Sequence, residues 1–65
     1  MKMSYFDDTD TLYIELKFAT VDETREVNEN TLIDFDKDGQ IVAITLEHAS
    51  KLTDLSQLTL DGLAA

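Results

Sequence analysis

The chain has 65 residues, fourteen of them acidic and five basic, for a formal net charge of −9. That length allows one domain, and the negative field disfavours direct binding to nucleic-acid phosphates or anionic membrane surfaces. With no cysteine and a single histidine, His48, neither a disulfide, a thiolate metal site nor a histidine-based zinc site is expected within one chain.

Apolar residues make up 43% of the sequence, enough for a core. A core of this size contributes only about 3–5 kcal/mol net, and small folds usually add a staple. With disulfides and structural metals set aside, association with another chain is the expected staple. No run approaches the roughly 20 apolar residues of a membrane span. The start, Met1-Lys2-Met3-Ser4-Tyr5-Phe6-Asp7-Asp8, does not read as a signal peptide, so a cytoplasmic protein is expected.

In chain order, Met1 to Tyr5 predicts a short strand and Asp7-Asp8-Thr9-Asp10 a turn, because Asp and Thr side chains bond readily to nearby amides. Thr11 to Phe18 alternates, with Leu12, Ile14, Leu16 and Phe18 on one face and Tyr13, Glu15 and Lys17 on the other. That period of two predicts a half-buried strand. Ala19 to Arg25 reads as a loop, and Glu26 to Glu29 as a brief strand ended by Asn30, a residue that tolerates positive φ. Thr31 to Asp36 and Gln40 to Glu47 are two further strands, rich in Ile, Val, Leu, Phe and Thr. Asp36-Lys37-Asp38-Gly39 joins them as a hairpin turn.

From His48 the period lengthens. Ala49, Leu52, Leu55 and Leu58 recur at helical spacing, and Thr53-Asp54 could open a second helical segment. The tail therefore reads as one helix or two short ones. The expected fold is a small α+β domain, an antiparallel β-meander of four to five strands with a C-terminal helix packed on one face.

The hairpin register decides which residues share a face. A type I turn with a left-handed glycine bulge sets Leu32, Val42, Ile44 and Leu46 against Ile33, Phe35, Ile41 and Ala43. A two-residue Asp38-Gly39 loop slips the pairing by one, and Phe35 joins Val42 and Ile44. Under either register both faces keep apolar residues, while a helix covers one. A second copy of the chain is therefore expected on the other face, with Tyr13, Ile33, Phe35, Ile41 and Ala43 as the candidate interface.

Three groups invite a chemical reading. Asp34-Phe35-Asp36-Lys37-Asp38-Gly39-Gln40-Ile41 reproduces the first half of a calcium-binding EF-hand loop, but Thr45 stands where the bidentate glutamate belongs. The flanks read as strands, so a hairpin turn is expected. Asp7, Asp8 and Asp10 would need an enclosed site to divide acid and base roles, and a solvated turn is expected instead. Glu47, His48 and Ser50 suggest a hydrolase, yet no glycine-rich nucleophile elbow accompanies them. No catalytic, metal or cofactor-binding residue is expected.

Two stretches carry a family resemblance. One runs from Tyr5 to Leu16 around Asp10-Thr11-Leu12-Tyr13-Ile14, and the other from Leu32 to Ser50 through Asp38-Gly39-Gln40-Ile41-Val42-Ala43-Ile44 and Leu46-Glu47-His48-Ala49-Ser50. On these the chain resembles the DUF2283 family of small bacterial and archaeal proteins, as a single domain over residues 1–65. The family usually has Asp after the first Tyr, Gly where Ala43 stands and an acidic residue at Thr45. These departures leave the hairpin intact. The resemblance implies a compact β-rich fold, no catalytic residues to carry over, and neighbouring small toxin-like proteins as partners. The expected function is thus that of a non-enzymatic acidic interaction protein that self-associates through its sheet. The alternative is an antitoxin-like acidic partner that neutralises a basic protein.

Overall fold

The computed structural model describes residues 1–52. It contains β1 (Lys2–Phe6), β2 (Thr11–Glu15), β3 (Glu23–Asn28), β4 (Thr31–Phe35), β5 (Ile41–Glu47) and α1 (Ala49–Leu52). The strands form one antiparallel five-stranded sheet in the order β1-β2-β5-β4-β3. The α+β class and the antiparallel sheet agree with the sequence. The possible second helical segment at Thr53-Asp54, the Leu55 and Leu58 stripe and the packing of a longer helix lie outside the described residues.

The strand boundaries differ at two places. β2 ends at Glu15 rather than Phe18, whose side chain is 99% exposed. β3 begins at Glu23, three residues before the expected start, although all six of its residues are exposed. Its polar alternation conceals a strand that exists because β4 offers it a free edge. The seven-residue β5 takes the centre of the sheet, pairing with β2 on one side and β4 on the other. Its Ile, Val and Thr content suits a strand flanked on both sides.

The hairpin between β4 and β5 combines both expected registers. At the turn, the Asp36 amide donates to the Gln40 carbonyl at 2.9 Å and the Gly39 amide to the Asp36 carbonyl at 3.0 Å. Gly39 has φ +79, which glycine adopts without the steric cost of a Cβ. This is the bulged turn. A second irregularity follows at once: Phe35 opposes Ile41, whereas Asp34 opposes Ala43, so Val42 is the extra residue. The Val42 carbonyl accepts the amides of Leu16 at 2.8 Å and Lys17 at 3.4 Å, which anchors the bulge to the end of β2. Beyond it Ile33 faces Ile44 and Leu32 faces Thr45, the slipped register.

That one-residue shift redistributes the faces. Following the pairing from strand to strand, Met3, Tyr5, Leu12, Ile14, Ile33, Phe35, Ile44 and Leu46 share one face. Lys2, Ser4, Phe6, Thr11, Tyr13, Glu15, Glu26, Leu32, Asp34, Ala43, Thr45 and Glu47 share the other. Both faces keep apolar residues, as the sequence predicts, but unequally, with Phe6, Tyr13, Leu32 and Ala43 on the second. One face gathers the large aliphatic residues and the other is mostly polar.

Burial is shallow. Among the described residues only Leu12, Val42, Ala43 and Ala49 are fully buried. Ile14, Ile33, Ile44 and Leu46, in the middle of the apolar face, are half-buried.

Candidate functional site

The densest polar arrangement lies at one end of the sheet, where the β1–β2 turn, the β3–β4 turn and the exit of β5 meet. Asp10 closes the first turn with φ 54, and His48 leaves β5 with φ 57. These are the two non-glycine residues with positive φ among the described residues. Asn30, the residue expected to take that role, instead uses its amide to bond the Asn28 side chain at 2.9 Å. Left-handed backbone is uncommon for non-glycine residues and persists where the surroundings hold it.

Here the holding contacts are explicit. The Asp10 carboxylate accepts the Tyr5 hydroxyl at 2.6 Å, the Ser50 hydroxyl at 2.7 Å and the Ser50 amide at 3.1 Å. Its own carbonyl accepts the Ala49 amide at 2.9 Å. The Asn30 carbonyl takes the Glu47 amide at 2.7 Å, while His48 Nδ1 lies 2.9 Å from Asn30 Oδ1. The chain turns sharply at His48 because two loops grip it on either side. Asp10 thus supplies acceptors to the first amides of α1 from a position 40 residues earlier.

The bonds from Tyr5 and then Ser50 hold the Asp10 carboxyl below its ordinary 3.8, and the same bond raises the Tyr5 hydroxyl above its ordinary 10.0. Chemically this is a fastening. The Ser50 hydroxyl is committed to a carboxylate, and His48 faces an amide, so imidazole and hydroxyl have different partners. A nucleophile needs its base within hydrogen-bond reach and the base oriented by a third group. The geometry here joins nucleophile to acid and leaves the imidazole aside.

The hairpin carboxylates are also engaged elsewhere. Asp36 Oδ1 accepts the amides of Asp38 and Gln40, both at 2.9 Å, and Oδ2 pairs with the Lys17 ammonium. Lys17 and the turn amides pull the Asp36 carboxyl below its usual range. Asp34 accepts the Thr24 hydroxyl at 2.6 Å across the β3–β4 pair. The two side chains therefore serve the turn and the polar face separately, as the strand flanks require. Beside them an open depression of about 460 Å³ is lined by Ala19, Thr20, Asp22, Asp36, Lys37 and Asp38. Among the described residues no three His, Cys, Asp or Glu side chains are grouped to hold a metal ion.

The five candidate interface residues do not share a face. Ile33, Phe35 and Ile41 belong with the apolar set, whereas Tyr13 and Ala43 are opposite, through the pairs Tyr13–Thr45 and Glu15–Ala43. Ala43 has no exposed surface, while Ile41 is 39% exposed. The Arg25 guanidinium lies 4.7 Å from the centre of the Phe35 ring and its Nε is 2.6 Å from Glu23, so that corner of the apolar face is capped by an ion pair. The Val42 bulge separates the five, and nothing in residue order marks it.

A family model described as a protein of unknown function (DUF2283) matches residues 2–50. The chain belongs to that family. The matched span includes both Asp10 and Ser50, so the fastening falls within the family domain. No curated protein and no solved structure matches the chain. Among the described residues no helix is long and apolar enough to cross a membrane.

Proposed function

We propose that this DUF2283 protein is a non-enzymatic, acidic interaction protein of the cytoplasm that works as a self-associated sheet, most simply a homodimer. The observation that supports this reading is the shallow core. A five-stranded sheet gathers its large aliphatic residues on one face, yet four described residues are fully buried and the central Ile14, Ile33 and Ile44 are half-buried. At about 25 cal/mol for each Å² of apolar surface removed from water, a second copy supplies burial that the described strands lack. Charge is compatible with this. Of the acidic residues on the strands, Glu15, Glu26, Asp34 and Glu47 are on the polar face and Glu23 alone is on the apolar one, where Arg25 neutralises it.

Self-association makes stability depend on concentration. Sedimentation at micromolar concentration is expected to give a dimer, and the Tm to rise with protein concentration. A well-folded monomer with a concentration-independent Tm would overturn the proposal.

A second reading, the antitoxin-like neutralisation of a basic protein, draws on the polar face. Glu15, Glu26, Asp34 and Glu47 are presented there; of the nearby lysines, Lys2 is paired across from Glu15 and Lys17 is bound to Asp36. Such a complex is expected to co-purify at low salt and weaken at moderate salt. Absence of any basic protein at low salt would exclude it.

A further inference from the structure

The two edges of the sheet are built differently. β3 carries Glu23, Arg25 and Glu26, and a bulge at Val27 breaks its register with β4. Charges and bulges are the usual protections against adding another strand. β1 at the other edge has neither. Its five residues pair with β2 in unbroken register from Lys2–Glu15 to Phe6–Thr11, and it carries a single charge, Lys2. Among the described residues nothing pairs with its outer side. Tyr5 and Phe6 are 43% and 52% exposed.

We infer that β1 is the seam at which two copies of the chain join, pairing antiparallel about a two-fold axis through Ser4. The inference rests on the self-association proposed above and adds an edge contact to it. The seam pairs the free backbone of β1 and buries Met3, Tyr5 and Phe6, and it does not itself cover the middle of the apolar face. The sequence of β1 is self-complementary in that register. Met3 meets the partner copy's Tyr5 on the apolar face, and Lys2 meets its Phe6 on the polar face. The first pair is apolar against aromatic and the second a cation over a ring, both favourable cross-strand combinations. No like charges are opposed. The same operation at β3 has to accommodate its bulge and place charged side chains against each other or against the bulge. Joining at β1 makes one ten-stranded sheet from two five-stranded ones and makes the two apolar faces continuous.

The absence of cysteine makes a direct test clean. Residues directly opposed in an antiparallel pair have Cα atoms about 4.5–5.5 Å apart, inside the range a disulfide spans. Ser4→Cys is expected to cross-link into a covalent dimer under mild oxidation, while Glu26→Cys on β3 remains uncross-linked. Ser4→Lys, which opposes two cations on the axis, is expected to weaken the dimer by about fivefold or more in sedimentation while circular dichroism stays that of a sheet. A dimer that forms normally with Ser4→Cys uncross-linked, or cross-links through Glu26→Cys instead, would overturn the β1 seam and leave self-association standing. A folded wild-type monomer would overturn both.

Discussion

Replacing Leu12 by alanine is expected to abolish the folded state of the isolated chain at room temperature. Leu12 is 2% exposed and is the largest fully buried side chain among the described residues. It sits on β2 opposite Leu46 of β5 and Tyr5 of β1, at the junction of three strands. Leucine-to-alanine changes in cores cost about 2–5 kcal/mol, and the net stability available to a chain of this size is about 3–5 kcal/mol. The two are comparable, so the substitution consumes nearly all of it. Leu16, 39% exposed beyond the end of β2, is the control, and its alanine variant is expected to lose less than about 1 kcal/mol. Urea titration followed by circular dichroism distinguishes them. Equal losses at both positions would contradict the register that buries Leu12.

The second large effect is expected at Asp10. Asp10→Ala removes the acceptor of the Tyr5 hydroxyl, the Ser50 hydroxyl and the Ser50 amide, and also places alanine at φ 54. Asp10→Asn retains an acceptor oxygen and a residue that tolerates left-handed backbone. Asp10→Gly tolerates the backbone and loses the bonds. The expected order of Tm is wild type, Asn, Gly, Ala, with the alanine variant lowered by roughly 10 °C. If glycine ranked above asparagine, the backbone conformation would outweigh the carboxylate.

The same contact gives stability two pH limits. Asp10 is depressed below its unfolded value of 3.8, so it contributes stability above that pH and loses it as pH falls through the folded value. Tyr5 is raised above 10.0, so its contribution is complete below pH 10 and is lost as pH rises through the folded value. In Asp10→Asn the carboxylate contribution is gone, and its pH–stability curve is expected to be flatter than wild type below pH 4. Parallel acid limbs in the two proteins would remove Asp10 from the account.

Much of the fold was legible in residue order. Period-two alternation marks β2, β-branched and aromatic content marks β4 and β5, and Asp36 to Gly39 marks the turn between those two, because each pattern is local and each residue type has a backbone reason to be there. What local pattern does not reveal is which strands become neighbours. β3 is polar and exposed and is a strand only through β4. The Val42 bulge switches the hairpin from one expected register to the other, with no glycine or proline at that position to announce it. The Asp10 contact was the least legible feature. Its partner Ser50 is 40 residues away, and in sequence Asp10 is one of three aspartates in a turn. Its place just before the strand, where a left-handed residue must reverse the chain, is the signal that distinguishes it from Asp7 and Asp8.

The central place of β5 governs the order in which the molecule is assembled. β1 with β2, and β3 with β4, are hairpins whose residues are near neighbours in the chain, so each can form early at small loop-closure cost. β2 and β4 do not pair with each other, and the two hairpins are joined through Ile41–Glu47. Two-stranded hairpins are marginal in water. As the chain emerges during synthesis, it therefore holds two weak halves until the last strand arrives between them. The described sheet cannot close before that strand is available, and Ser50, which bonds Asp10, follows it in the chain.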